Sequence, residues 1–132
     1  MVEHVATCRC GQLTVVCTGD PVRISVCHCL DCQKRSGSAF AVQARFSDER
    51  VKVTGELSEW SDIGENGKRA TFHFCPVCGT TVTYTSEAMR GLTAVPVGTF
   101  ADPAFPPPSV SGYEERRHSW AVIHGDNIEH FD

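Results

Sequence analysis

Cys27-His28-Cys29-Leu30-Asp31-Cys32 places three thiols within six residues, near enough to hold one metal ion. Tetrahedral zinc takes four protein ligands in structural sites and three plus an exchangeable one in catalytic sites. A chain that gathers these sulfurs must therefore find a fourth donor or keep a position for substrate. Two other pairs, Cys8-Arg9-Cys10 and Cys75-Pro76-Val77-Cys78, are able between them to close a separate four-thiolate site. Spacing does not decide that pairing. Cys29 and Cys32 also have the spacing of a ribbon half-site, although they lie farther from Cys75 than the roughly 15–20 residues usual in a ribbon. Cys8 and Cys10 are an equally legal partner for Cys75 and Cys78.

The eight cysteines take their meaning from compartment. The start, Met1-Val2-Glu3-His4-Val5-Ala6, has no basic region followed by an apolar segment, so a cytoplasmic location is expected. Reducing conditions favour metal ligation over disulfides for clustered thiols. The 132 residues suit one domain, 1–132, since compact domains most often run to roughly 100–150 residues. No apolar run approaches the roughly 18 residues of a membrane span. A net charge of −4 gives no basic footprint and argues against nucleic acid as a partner. An anionic small molecule would need local positive charge, for which Lys34, Arg35 and Arg69 are candidates.

Short β-branched runs dominate the rest. Gln12–Thr18 and Val22–Val26 read as strands joined tightly through Gly19-Asp20-Pro21, the second leading directly into Cys27. After Cys32, the run to Gly37 predicts one short helical turn ending at that glycine. Further strands are predicted at Ala39–Phe46, Arg50–Val53, Leu57–Ser61, Arg69–Phe74, Thr80–Thr85 and Leu92–Val97, with a last one around Trp120-Ala121-Val122-Ile123. So many short strands between turn signals predict a mainly β architecture. Ala101 to Pro108 reads as a rigid irregular connection because each proline removes a ladder donor.

Cys75-Pro76-Val77-Cys78-Gly79 has the form of a zinc knuckle, in which a tight turn points both sulfurs inward. A redox Cys-x-x-Cys would sit at a strand-to-helix junction in a βαβ setting, and that pattern is missing. At Cys27, Cys29 and Cys32 a metal would leave a fourth position for water or an incoming thiol, and coordination deprotonates a thiol outright. Three sulfur ligands favour a soft fourth one. The bland alternative is a structural site closed by His28 or another side chain. Cys17 reads as a buried apolar residue. His28 either orients the site or faces solvent, and Trp60 and Trp120 are expected in the core.

Cys8-Arg9-Cys10-Gly11, the stretch Cys27 to Phe40 with its Ser36-Gly37-Ser38, Phe74-Cys75-Pro76-Val77-Cys78-Gly79-Thr80, the Gly98 to Asp102-Pro103 segment and Trp120 together resemble the glutathione-dependent formaldehyde-activating enzyme family, which includes centromere-protein-V-like proteins. The match runs from about Thr7 to Phe131. The resemblance implies a β-tent fold of packed antiparallel sheets. It assigns Cys8, Cys10, Cys75 and Cys78 to a structural zinc and Cys27, Cys29 and Cys32 to a catalytic zinc. It implies a carbon–sulfur lyase reaction in which a glutathione-like thiol and formaldehyde, or a related small aldehyde, give an S-hydroxymethyl adduct. The chain departs from the family pattern at Ser111, where members often carry a histidine nine residues before the late tryptophan. The rival reading is a zinc-stabilised module that docks a protein or nucleic acid and catalyses nothing.

Overall fold

A computed structural model describes residues 1–132. The elements in chain order are β1 (Glu3–Thr7), β2 (Thr14–Thr18), β3 (Arg23–Cys27), α1 (Leu30–Ser36), β4 (Ala41–Ser47), β5 (Val51–Thr54), β6 (Ser58–Ile63), β7 (Arg69–Phe74), β8 (Thr81–Ser86), β9 (Leu92–Pro96), β10 (Val110–Gly112) and β11 (Glu129–His130). The mainly β expectation therefore holds. One sheet has three strands in the order β1-β2-β5, and the other has eight in the order β11-β10-β3-β4-β9-β8-β7-β6. Most neighbours run antiparallel, but β10 pairs in parallel with both β3 and β11, so the large sheet is mixed.

Alternation decides which residues enter the core, because successive strand side chains point to opposite faces. Ala6 from β1 and Val15 and Cys17 from β2 meet Ile24, Ala44, Phe46, Val82 and Val95 of the large sheet. Phe100 and Phe105, stacked with ring centroids 4.4 Å apart, close one end of this layer. Cys17 is fully buried, as its apolar surroundings in the sequence predict. The opposite face of the large sheet carries a different set. Trp60, Phe72, Tyr84, Ala94, Arg45 and Arg23 are consecutive cross-strand partners from β6 to β3, forming one row across that face.

The Gly19-Asp20-Pro21 turn joins β2 closely to β3, as expected, and carries the chain from one sheet to the other. Two expectations are corrected. No strand forms at Trp120–Ile123, where the Ala121 N–H instead turns back to the His118 carbonyl at 2.9 Å, and the last strand is β11. Trp60 and Trp120 are 56% and 71% exposed rather than core. Trp60 lies on the outer row of an edge strand and stacks on Phe72, while Trp120 packs against His118. The strands β1 and β10 were not predicted: β1 offers only Ala6 as a fully buried residue, and β10 is too short to show a period.

Gly55 locks the small sheet to the chain around Gln12. Its φ is +120°, and an added Cβ would lie 2.3 Å from the Gln12 carbonyl oxygen. The Gln12 side chain accepts from the Glu56 N–H at 2.9 Å and donates to the Glu56 carbonyl at 2.8 Å. Gly55→Ala therefore meets both backbone strain and a clash that cannot relax without moving β2 or β5. It should destabilise the fold by about 2–3 kcal/mol, read as a lowered midpoint in urea unfolding.

Candidate functional site

Cys8 and Cys10 lie in the turn after β1, where the Cys8 N–H donates to the Leu13 carbonyl at 3.0 Å. Cys75 and Cys78 lie in the turn between β7 and β8, closed by the Gly79 N–H on the Cys75 carbonyl at 2.8 Å. The two turns meet, and all four sulfurs fall within 4.8 Å of one another. Sulfur separations of 3.6 Å for Cys8–Cys10 and 3.7 Å for Cys10–Cys75 are far too long for a disulfide. They match the edge, about 3.8 Å, of a tetrahedron with metal–sulfur bonds of about 2.3 Å. The surroundings also suit negative sulfur. The Leu13 N–H donates to Cys8 Sγ at 3.3 Å, and Val77 N–H and Gln12 Nε2 donate to Cys75 Sγ at 3.4 and 3.0 Å. The Thr80 hydroxyl first, then the backbone N–H groups of Thr80 and Cys10, lower the Cys78 thiol to about 5. This cluster can hold a metal ion.

The second cluster straddles a strand end and a helix start. Cys27 ends β3, Cys29 is the N-cap of α1, and Cys32 lies one turn in, with its N–H donating to Cys29 Sγ at 3.3 Å. Gly37 terminates α1 in the left-handed region at φ 68°, as predicted, and its N–H reaches the Gln33 carbonyl. The three sulfurs lie within 4.8 Å of one another, and no His, Asp or Glu donor joins them. Hydrogen bonds from Cys27 and then Cys32 hold Cys29 at about 2, far below the usual thiol range. Its partners move the other way: the bond to Cys29 raises Cys27 to about 11, and bonds to Cys27 and Cys29 raise Cys32 further still.

His28 is fully buried and does not ligate. Its Nε2 lies 3.0 Å from Ser111 Oγ, and Ser111 in turn donates to Glu114 Oε2 at 2.7 Å. Ser111 has one proton and gives it to the carboxylate, so it must accept from His28 Nε2–H. Burial lowers the His28 pKa, so the ring is neutral at pH 7. The residue thus orients the loop between two sulfurs, one of the two fates expected for it. Gln33 Nε2 binds the His28 and Arg116 carbonyls at 2.8 and 3.1 Å. Asp31 accepts from the Glu65 N–H at 2.8 Å. Together these bonds tie α1 to the C-terminal segment and to the β6–β7 loop.

Of the basic candidates, only Arg35 reaches the triad's side of the sheet. Its guanidinium sits 5.0 Å above the Tyr84 ring and 5.4 Å from that of Phe72. Lys34 is exposed, and the Arg69 guanidinium, at the start of β7, donates to Ser61 Oγ at 3.1 Å. A cavity of about 560 Å³ runs from Arg35 and Ser36 to Cys8, Arg9 and Thr80, beside the four-cysteine cluster and touching none of the triad. Sequence reasoning missed Tyr84. Burial and then the charge of Cys32 push its phenol up, while Arg35 opposes. Nothing in Thr81-Val82-Thr83-Tyr84 marks which residue lies under Arg35.

The sequence profile of the glutathione-dependent formaldehyde-activating enzyme family matches residues 3–116. The chain belongs to this family. No curated protein matches the sequence. Among solved structures, the crystal structure of a Rhodobacter sphaeroides protein is similar at a TM-score of 0.59 and 19% identity, over 78% of this chain and 91% of that one. At that identity the likeness shows the fold alone.

Membership in the formaldehyde-activating family links the chain to formaldehyde activation, and its two cysteine clusters can bind metal. Loading the triad must release the protons of Cys27 and Cys32, the two thiols held high, whereas Cys29 is already ionised. Zinc affinity at the triad should therefore rise with pH, by about two log units per pH unit through the neutral range. Chelator competition on protein whose four-cysteine cluster is already loaded measures that slope. A pH-independent affinity would contradict the proton inventory.

Proposed function

We propose that the chain joins a low-molecular-weight, glutathione-like thiol to formaldehyde or a related small aldehyde, giving an S-hydroxymethyl adduct by a reversible carbon–sulfur lyase-type reaction. The observation that carries this reading is the three-sulfur cluster without a fourth protein donor, in a member of the formaldehyde-activating family. Zinc held by Cys27, Cys29 and Cys32 would supply the positive charge that keeps a substrate thiol ionised at neutral pH. Cys8, Cys10, Cys75 and Cys78 would hold a second zinc with a structural role.

The chain's own residues do the positioning. The N-cap geometry of Cys29 and the buried bond from His28 to Ser111 fix where the sulfurs sit relative to β3. Arg35, about one turn beyond Cys32 on α1, packs over Tyr84 on the outer face of the large sheet. There a thiol and an aldehyde carbon held in reach of one another react as an effectively unimolecular pair. All eight cysteines are free, which suits work in a reducing cytoplasm. No helix is long and apolar enough to cross a membrane.

The test is the rate of exchange between formaldehyde with glutathione and their adduct, measured for zinc-loaded protein against the spontaneous reaction. Wild type should accelerate it. Cys29→Ser should fall to the spontaneous rate while its unfolding midpoint changes little, because the four-cysteine cluster is untouched. An unchanged rate in that variant would sink the proposal.

A further inference from the structure

Arg23 and Arg45 stand directly opposite each other on β3 and β4. Like charges in that position repel, and neither guanidinium has an ion-pair partner: the salt bridges of the chain involve His73, Arg116 and His130. Both Nε atoms are buried without a hydrogen-bond partner. The next pair along the same face is Ser25 and Gln43. Gln43 is 4% exposed. Its Nε2 donates to Ser25 Oγ at 2.9 Å, and its Oε1 is also unpartnered. Three of the five such orphaned atoms in the chain thus fall within one small patch. The pair after that is Cys27 and Ala41, so the patch adjoins the triad.

Both arginines are half-buried, and partly buried positive charge is costly unless a partner satisfies it. A chain with a net charge of −4 has nonetheless kept its own carboxylates off these two arginines. Arg35 adds a third guanidinium over Tyr84, which follows Ala94 in the same cross-strand row as Arg45. Burial first, and then the Arg23 charge, lower the Arg45 pKa, while Tyr84 and Cys27 oppose that. Guanidinium forks bind carboxylates through paired N–H···O bonds. Arg23 and Cys27 are four residues apart on β3, about 13 Å between Cα atoms at the usual strand rise. The length of an arginine side chain shortens that span.

We infer that Arg23 and Arg45, with Arg35 beside them, bind a carboxylate of the thiol substrate, so that the enzyme selects an anionic, peptide-sized thiol whose sulfur lies at Cys27, Cys29 and Cys32. This rests on the thiol–aldehyde reading above and narrows its substrate class. The three arginines hold one end of the thiol, and the strand direction of β3 leads its sulfur to the cluster. The aromatic row of Tyr84, Phe72 and Trp60 flanks the same site with an apolar surface.

The test uses S-methylglutathione, which cannot ionise at sulfur and so reads carboxylate binding apart from the chemistry. By calorimetry, zinc-loaded wild type should bind it at least tenfold more tightly than its diethyl ester. Arg45→Gln and Arg23→Gln should each remove most of that preference, and Arg45→Lys should restore part of it. In wild type alone, S-methylglutathione should shift the Nε–H resonances of Arg23 and Arg45, a readout that needs no variant to fold. Equal binding of acid and ester, unmoved arginine resonances, or no binding at all would each overturn the inference. Acid-selective binding by a protein that fails to accelerate glutathione–formaldehyde exchange would leave the carboxylate site standing and refute the catalytic reading instead.

Discussion

Along β3 the side chains alternate. Ile24 and Val26 turn toward the buried layer, while Arg23, Ser25 and Cys27 turn to the opposite face. Nearly everything of interest in this molecule depends on that register. A slip of one residue would put an arginine into the apolar layer and send Ile24 out, so the packing of Ile24 against Ala44 and Phe46 pins the register hard. The same packing therefore fixes Cys27 at the strand end where Cys29 and Cys32 can meet it. Stability and site geometry are here two consequences of one alternation.

The two cysteine clusters sit at opposite ends of this logic. The four-sulfur cluster joins turns that are 65 residues apart between Cys10 and Cys75, closing a long loop whose entropy cost grows only slowly with length. Its N–H donors point at sulfur from the backbone, so the cluster is built into the turns that cap both sheets. The three-sulfur cluster is built from one short stretch. Its anchoring comes instead from afar: Glu65, Ser111 and Arg116 each reach the segment His28–Gln33. A local sulfur set with distant supports can keep one coordination position clear without losing its shape.

The cysteine spacing made both clusters legible before any fold was known, and turn signals located most strands of the large sheet to within a residue or two. What escaped was what register alone determines. Arg23 and Arg45 are unremarkable in sequence, each the polar member of an alternating run, and only the antiparallel pairing of β3 with β4 brings them face to face. Trp60 carries a side chain that composition assigns to a core, yet it sits on the outer face of the edge strand β6, with only Phe72 to stack on. Ser111 drew notice as a departure from the family pattern. Its buried bond to His28 depends on the parallel placement of β10 beside β3, and parallel partners are never adjacent in sequence.

The arginines also bear on charge at the triad. Three thiolates with a divalent ion would leave a net −1, and an anionic thiol arriving there would add to it in surroundings of low dielectric. In an acidic chain that accumulation would repel the very substrate proposed. Arg35, seated over Tyr84, and Arg45, in the same cross-strand row, are placed to offset it. The unpaired guanidinium groups thus have a reason to remain unpaired: a carboxylate of the chain's own would neutralise them and return the repulsion to the site. On the proposed reading, the instability of two adjacent unpartnered arginines is relieved only when substrate binds. Binding energy at the carboxylate end of the thiol is then available to hold its sulfur at the cluster.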